Sequence, residues 1–201
     1  MSSSAKKVSP LDFKGTEIID ARSLVKGTFG DIWGEKPAII IFLRRLGCQL
    51  CRTTALELDD LRIKEVEPKG GRVVAMTFEH LGTGSDNDKS FEKGGYFKGP
   101  LYVIDKSVYP KLFGSRNVVM GLYELATVSK PKIDESVAKG VQGNYINGMK
   151  DGFMLGGQFV IDTDSTILLD HRQAFVGDDE EREGLLEAFL KSKRITNSTS
   201  S

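Results

Sequence analysis

The sequence is poor in the residues that build disulfide frameworks and metal centres. Only two of its 201 residues are cysteines and only two are histidines. Two cysteines cannot form the multi-bridge framework of small secreted domains. No apolar run approaches the roughly 20 residues of a membrane-spanning helix, so we expect no span. The 28 basic residues balance the 28 acidic ones, which leaves no overall field for capturing nucleic acid or an anionic membrane.

The length favours one domain with polar ends. A chain of 201 residues suits a single hydrophobic core. Residues 1–14 and 195–201 have few apolar anchors and are predicted to be disordered tails, which leaves a domain over residues 15–194. Because the stretch from Met1 to Lys7 lacks the apolar core of a signal peptide, we expect a cytoplasmic (cytosolic) protein. In that reducing compartment a cysteine pair is more often catalytic or metal-binding than structural.

The two cysteines form one motif at a strand-to-helix boundary. Cys48 and Cys51 are separated by two residues. The apolar, β-branched run over residues 38–43 predicts a strand buried on both faces of a sheet. Beyond Cys48, small and apolar residues recur at spacings of three and four, as in an amphipathic helix that faces a core. They are Cys51, Thr54, Ala55, Leu58 and Leu61. Cys48 is therefore predicted to lie at the N-terminus of a helix.

This position favours a reactive thiolate. Unpaired N–H groups and the positive end of the helix dipole stabilise an anion on Cys48, and Arg44, Arg45 and Arg52 add positive charge nearby. Cys51 lies one helical turn further on, within reach for a disulfide. We therefore predict that Cys48 attacks a substrate and that Cys51 resolves the adduct.

Two other interpretations of the cysteine pair stay open. A Cys-x-x-Cys motif can be half of a zinc site, for which only His80 and His171 could add imidazole ligands, and these are far apart in sequence. Alternatively, both thiols could simply pack in the core. The redox spacing and the neighbouring arginines favour a redox-active pair over a zinc site or a purely structural pair, and we expect no bound metal.

The order of predicted elements indicates an α/β protein. The strand before Cys48, the helix after it and a second apolar strand over 72–78 form a β-α-β unit, which implies a parallel pair of strands. The later elements are a strand over 101–104, helices near 109–113 and 118–125, hairpin strands at 158–161 and 167–169, and a final helix around 185–190. This order predicts a thioredoxin-like fold, in which helices flank a central mixed β-sheet and the Cys-x-x-Cys motif lies at a helix N-terminus.

Several segments are less regular. Residues 17–19 and 23–25 are predicted to be short strands, with a turn at 26–30. The stretch over 139–157 is long and has little periodicity, which is typical of a binding element or of a surface connection. The carboxylates over 178–181 are interpreted as charges that complement the N-terminus of the final helix.

Five blocks of the sequence resemble a known family. The most specific is Arg-Arg-x-Gly-Cys-x-x-Cys-Arg over residues 44–52. The other four follow in family order and cover residues 78–82, 95–102, 140–144 and 156–157. On these blocks the chain resembles the peroxiredoxin-like 2 family of the thioredoxin superfamily, over most of its length.

The chain departs from better-known members of that superfamily. Arg45 stands where ordinary peroxiredoxins carry a threonine, three residues before the reactive cysteine. Gly47 replaces the tryptophan that precedes the first cysteine of thioredoxins, and Gly156-Gly157 replaces their cis-proline. These differences disfavour general disulfide exchange.

The resemblance implies an oxidoreductase that reduces the endoperoxide of prostaglandin H2 or prostamide H2 to the F-type product, with NADPH as ultimate donor. For such a lipid substrate we expect an apolar pocket beside Cys48, lined by Tyr96, Phe97 and residues of the 139–157 stretch. The stretch that starts Gly82-Thr83-Gly84 lacks the third glycine of a dinucleotide fingerprint. The electrons are therefore expected to come through a partner such as thioredoxin.

Two other functions compete with this one. The protein could be a general thiol peroxidase or antioxidant reductase that acts on hydrogen peroxide or lipid hydroperoxides. It could also be a redox-sensing protein whose cysteines do not turn over.

Overall fold

Strands from both halves of the chain form one mixed sheet. The computed structural model describes residues 8–83, 90–144 and 154–198. Within these residues the sheet has seven strands, in the order β2-β1-β5-β4-β3-β6-β7. The strands are β1 (Glu17–Asp20), β2 (Lys26–Thr28), β3 (Ala38–Phe42), β4 (Arg72–Thr77), β5 (Leu101–Ile104), β6 (Gly157–Ile161) and β7 (Ile167–Arg172).

The strand that leads to the cysteines lies inside the sheet. β3 pairs in parallel with β4 and antiparallel with β6. β4 also pairs in parallel with β5. All five residues of β3 are buried, which confirms the prediction of a strand covered on both faces. The β-α-β unit around the cysteines is therefore present as predicted.

Helices pack on both faces of the sheet. α1 (Gln49–Leu61) and α6 (Arg182–Leu190) cover one face, and α3 (Val108–Phe113) covers the other. No described helix is both long and apolar enough to cross a membrane. The remaining helices are α2 (Ser90–Gly94), α4 (Val118–Ala126), α5 (Lys130–Ala138) and α7 (Lys193–Ser198).

Alternate residues of β3 contribute to two separate cores. Ile39 and Ile41 pack beneath α1 and α6. Ile40 and Phe42 pack on the opposite face, where the ring of Phe42 makes an edge contact with Tyr109, with 5.5 Å between ring centroids. The period of two residues in a strand thus divides one apolar run between two cores.

Tyr109 of α3 fixes the carboxyl end of β3. Its buried hydroxyl lies 2.9 Å from the carbonyl oxygen of Leu43 and 3.1 Å from that of Met76. The N–H of Leu43 also donates to the Met76 carbonyl, at 2.9 Å. The loop that carries the cysteines therefore begins at the end of β3, where hydrogen bonds from Tyr109 and Leu43 fix the chain against β4.

The first hairpin lies further along the chain than predicted. The structure forms β2 from Lys26–Thr28, which the sequence assigned to a turn, and places a turn at 21–23 and no strand at 23–25. The carboxylate of Asp20 accepts hydrogen bonds from the N–H groups of Arg22 and Ser23, at 2.9 and 2.7 Å. An aspartate that bonds the backbone two and three residues ahead stabilises a turn there, in spite of the apolar side chains.

Secondary structure extends beyond both predicted domain boundaries. Residues Pro10–Phe13 form a short 3-10 helix, and α7 includes residues that composition assigned to the C-terminal tail. Ile195 in α7 is buried in the main core. The buried carboxylate of Asp162 accepts hydrogen bonds from the Ser192 hydroxyl at 2.8 Å and the Lys193 N–H at 3.0 Å. Composition could not reveal these contacts, because their partners lie some thirty residues apart.

Gly156 allows β6 to approach the end of β3. A Cβ at this position would clash with the backbone oxygen of Phe42. Because Phe42 ends β3 and Gly156 directly precedes β6, neither backbone can yield without strain, and we expect Gly156→Ala to lower the free energy of unfolding by about 1–3 kcal/mol. Urea unfolding followed by circular dichroism measures this. Gly15→Ala is the matched control, since nothing lies within 4 Å of its added Cβ. Equal stabilities of the two variants would contradict the prediction.

Candidate active site

Cys48 lies at the N-terminus of α1, as the sequence predicted. It is the N-cap residue, with extended backbone, and its carbonyl accepts the first helical hydrogen bond from the Arg52 N–H at 3.0 Å. Its side chain is partly exposed, whereas Cys51, inside the first turn, is only 6% exposed. One thiol is therefore accessible to a substrate, and the other lies beneath it.

The surroundings of Cys48 favour its thiolate. The pKa of Cys48 is lowered to about 5, first by a hydrogen bond from the Cys51 thiol and then by the positive charge of Arg44, while burial opposes the shift. Backbone N–H groups of Leu50 and Cys51 lower it further. The Arg44 Nη2 lies 3.2 Å from the Cys48 Sγ. At neutral pH this sulfur is a nucleophile.

Cys51 has the opposite character. The hydrogen bond to Cys48, burial and the negative charge of the Cys48 thiolate together raise its pKa well above that of an ordinary thiol. Two thiols that share one proton in this way divide their roles, because only one of them ionises readily. Cys51 therefore holds its proton at neutral pH while Cys48 is ionised.

The three predicted thiolate-stabilising arginines occupy different positions. All three are buried. Arg44 contacts the Cys48 sulfur. The Arg45 carbonyl accepts a hydrogen bond from the Cys48 N–H at 3.3 Å. The Arg52 guanidinium donates to the backbone oxygens of Leu46 at 2.7 Å and Gln142 at 2.5 Å. Arg52 thus ties the cysteine loop to a second segment.

That second segment belongs to the long stretch over 139–157. The Asn144 N–H donates to the carbonyl of Gly47, next to Cys48, at 2.7 Å. On the other side of the loop, the Glu79 carboxylate accepts the Leu46 N–H at 2.9 Å. Residues 145–153 of the stretch lie outside the described residues, as do those that follow Thr83 in the glycine-containing segment. The cysteine loop is therefore held through its own backbone, by the Asn144 N–H and by the Glu79 carboxylate.

The aromatic pair predicted to bind substrate lies behind the cysteine loop. The Arg52 guanidinium stacks over the ring of half-buried Tyr96, 5.0 Å from its centroid. Phe97 is 2% exposed and is part of the core beneath α1. A side chain buried to this degree packs in the core, and contact of Phe97 with substrate stays a prediction.

The two histidines do not join the cysteines. His80 is exposed, and the His171 Nε2 lies 2.7 Å from the carbonyl oxygen of Asp178. Among the described residues, no group of three or more His, Cys, Asp or Glu side chains is placed to hold a metal ion.

Two polar residues near the site were missed by the sequence reasoning. Asp179 was interpreted as a charge for the final helix, but its carboxylate accepts hydrogen bonds from the Thr54 hydroxyl at 2.9 Å and the Gln173 amide at 2.8 Å. The Gln173 oxygen in turn accepts the N–H of Gly156 at 2.8 Å. The N-cap of α6 is Glu181 instead. The one sequence signal for Asp179 and Gln173 is indirect: Gly156, which donates to Gln173, belongs to one of the family blocks.

Comparison with curated proteins gives relatives of two names. The "Prostamide/prostaglandin F synthase" of Salmo salar is 31% identical over 150 residues, which cover 73% of this chain and 70% of the relative. The protein of that name in Sus scrofa is 31% identical, covering 88% and 81%. The "Peroxiredoxin-like 2A" of Homo sapiens is 30% identical, covering 86% and 72%. The chain belongs to the peroxiredoxin-like 2 family. No family model matches it.

Solved structures agree on the fold of this peroxiredoxin-like 2 protein. Peroxiredoxin Q of Xanthomonas campestris superposes with a TM-score of 0.57 at 13% identity, covering 92% of this chain and 96% of that one. Peroxidoxin BcpB of Mycobacterium tuberculosis gives 0.51 at 15% identity, covering 86% and 90%. The thioredoxin-like fold predicted from the order of elements is confirmed. With its family, its fold and its cysteine pair, the protein is a thiol-dependent oxidoreductase.

Proposed function

We propose that the protein reduces a lipid endoperoxide, that of prostaglandin H2 or its ethanolamide, to the F-type diol. The observation that carries this proposal is the accessible Cys48, whose pKa is lowered to about 5, above a buried Cys51 that retains its proton. Such a pair suits two-electron reduction of a weak O–O bond. Relatives named prostamide/prostaglandin F synthase indicate which peroxide.

The reaction balances with two thiols and one endoperoxide. The Cys48 thiolate attacks one peroxide oxygen, an S–O bond forms, the O–O bond breaks, and the released alkoxide takes a proton. Cys51 then attacks the Cys48 sulfur, which forms the disulfide and expels the second oxygen as an alkoxide that is protonated in turn. The substrate gains two electrons and two protons, and the cysteine pair loses two electrons.

Regeneration of the thiols needs a reductant. We propose that NADPH is the ultimate donor and that its electrons arrive through thioredoxin, which exchanges thiols with the accessible Cys48 sulfur of the disulfide. Stopped-flow measurement of NADPH oxidation tests this with purified protein and peroxide. The rate is expected to depend on added thioredoxin and thioredoxin reductase. NADPH oxidation by the protein without any partner would refute the relay.

Substrate choice is tested by comparing three peroxides. With the thioredoxin system present, kcat/KM for prostaglandin H2 is expected to exceed that for hydrogen peroxide at least tenfold, with a lipid hydroperoxide between them. Comparable values for all three would replace the proposed activity by that of a general thiol peroxidase.

An apolar surface near Cys48 supports a lipid substrate. Cys48 packs at the edge of a small cluster formed by Leu50 and Val176, which Leu125 of α4 also contacts. The other large apolar side chains of α4 are about half or more exposed: Val118, Val119, Met120, Leu122 and Tyr123. An acyl chain that reaches Cys48 could lie along this helix and shield these groups from water.

Leu122→Ser tests this surface. Leu122 is 46% exposed, so its replacement is expected to leave stability within about 0.5 kcal/mol. Loss of an apolar contact with the chain is expected to raise KM for a lipid hydroperoxide by roughly threefold to tenfold and to leave hydrogen peroxide unaffected. Ile63→Ser, at a 53% exposed residue beyond α1, is the control. Equal KM values for Leu122→Ser and the control would remove α4 from the substrate site.

A further inference from the structure

A small cavity lies beside the buried thiol. It has a volume of about 10 Å³ and is lined by Arg44, Cys51, Thr54, Gln173 and Asp179, together with apolar groups. That volume is about the minimum for one water molecule, and a water held in such a place needs two or more polar partners. The cavity offers four polar side chains besides the thiol.

The carboxylate of Asp179 is fixed at this cavity. One of its oxygens accepts the Thr54 hydroxyl at 2.9 Å, and the other accepts the Gln173 amide at 2.8 Å. Gln173 is 6% exposed and is itself held by the Gly156 N–H at 2.8 Å. Each carboxylate oxygen can accept more than one hydrogen bond, so Asp179 has capacity left for a donor in the cavity.

Arg44 gives independent support for a water molecule here. The side chain is 5% exposed, and its Nε has no hydrogen-bond partner among the described residues. A buried donor without a partner is costly, and native structures satisfy nearly all such groups. A water in the cavity would accept from the Arg44 Nε and donate to Asp179.

We propose that Asp179 accepts the proton of Cys51 through one water in this cavity when Cys51 attacks the adduct on Cys48. The inference deepens the proposed function and rests on it for the order of the two thiols. Cys51 needs such an acceptor, because its burial, which persists once Cys48 carries the adduct, raises its pKa. The S–S bond forms, the bond from Cys48 to its adduct breaks, and the proton ends on Asp179, from which it can return to the leaving group or solvent.

Several groups act on the ionisation of Cys51. Cys48 faces it from its own helix, with Arg44 and the Arg45 N–H from the preceding loop. Tyr109 of α3 also lies near Cys51. The pKa of the Tyr109 hydroxyl is raised, first by burial and then by the negative charge of an ionised Cys51. Asp179 lines the cavity from the segment before α6. It is the carboxylate that lines the cavity beside Cys51.

An aromatic disulfide such as dithiobis-nitrobenzoate isolates this step from peroxide chemistry. Cys48 attacks the reagent and releases one coloured thiolate, and Cys51 then attacks the mixed disulfide and releases a second. At pH 7, Asp179→Asn is expected to leave the first phase unchanged and to slow the second at least tenfold. The difference is expected to shrink as the pH rises toward 10, because hydroxide then removes the Cys51 proton. Asp179→Glu is expected to restore most of the rate.

Glu181→Gln is the matched control, because it removes an exposed carboxylate two residues away. A normal first phase in Asp179→Asn shows that its fold and the Cys48 thiolate are intact. An unchanged second phase, or one that is slowed equally at every pH, would overturn the proposal. The reagent is not a peroxide, so the two tests are independent. Failure of the protein to reduce peroxides would refute the proposed function, but the two phases with the aromatic disulfide would still show whether Asp179 assists Cys51.

Discussion

Replacing Cys48 by serine is expected to abolish peroxide reduction, with a loss on the order of a thousandfold or more. A serine hydroxyl keeps its proton at neutral pH, whereas Cys48 with its pKa of about 5 is already ionised. Peroxide consumption in the presence of NADPH, thioredoxin and its reductase measures the loss. Cys51→Ser is the informative partner: it is expected to consume one equivalent of peroxide and stop with the adduct on Cys48, which mass spectrometry detects.

The pH dependence of Cys48 sharpens this test. Because its pKa is lowered, the thiolate is present above pH 5 and is lost as the pH falls through about 5. Alkylation of Cys48 by iodoacetamide is therefore expected to reach half its maximal rate near that pH and to level off by about pH 7. Cys51 should stay unmodified throughout this range. An adduct on Cys51 in Cys48→Ser would reverse the two roles, and a wild-type protein as inactive as the variant would favour a redox sensor.

The position of the cysteine pair could be predicted because it depends on local pattern. An apolar run of strand length followed by a stripe at helical spacing defines a strand-to-helix boundary without any distant contact. Cys48 lies at that boundary in the structure. The same reasoning placed β4, β5 and the β6–β7 hairpin, whose apolar runs are bounded by turn residues.

The division of labour among charged residues could not be predicted in this way. Arg44, Arg45 and Arg52 are equivalent by proximity in sequence, but in the structure Arg44 lies 3.2 Å from the Cys48 sulfur while Arg52 donates to backbone oxygens. The partners of the Arg52 guanidinium are the carbonyls of Leu46 and Gln142. Asp179 lies 128 positions beyond Cys51, and only the folded sheet brings its carboxylate to the same cavity. Such pairings depend on tertiary contacts that have no local signal.

Arg44→Met is expected to raise the pKa of Cys48 from about 5 toward the ordinary thiol value of about 8.5. The variant removes a positive charge whose nitrogen lies 3.2 Å from the sulfur, and it leaves the Cys51 hydrogen bond and the helix N-terminus in place. Because Arg44 is 5% exposed, a methionine of similar volume fills its site without leaving a cavity. Thiolate absorbance in the ultraviolet, followed against pH, measures the shift directly. Lys64→Met removes an exposed positive charge elsewhere and should leave the pKa unchanged.

The rates of this variant distinguish a pKa effect from a general loss of activity. Below about pH 5 the variant has less thiolate and should react with iodoacetamide roughly threefold to fiftyfold more slowly than the wild type. Above about pH 8 both proteins are ionised, and the more basic thiolate of the variant is the better nucleophile, so the order should reverse. Toward a peroxide we expect the variant to stay slower at both pH values, since we expect the Arg44 charge to stabilise the departing oxygen as well. Slower alkylation at every pH would mean that Arg44 shapes the loop rather than the charge of Cys48.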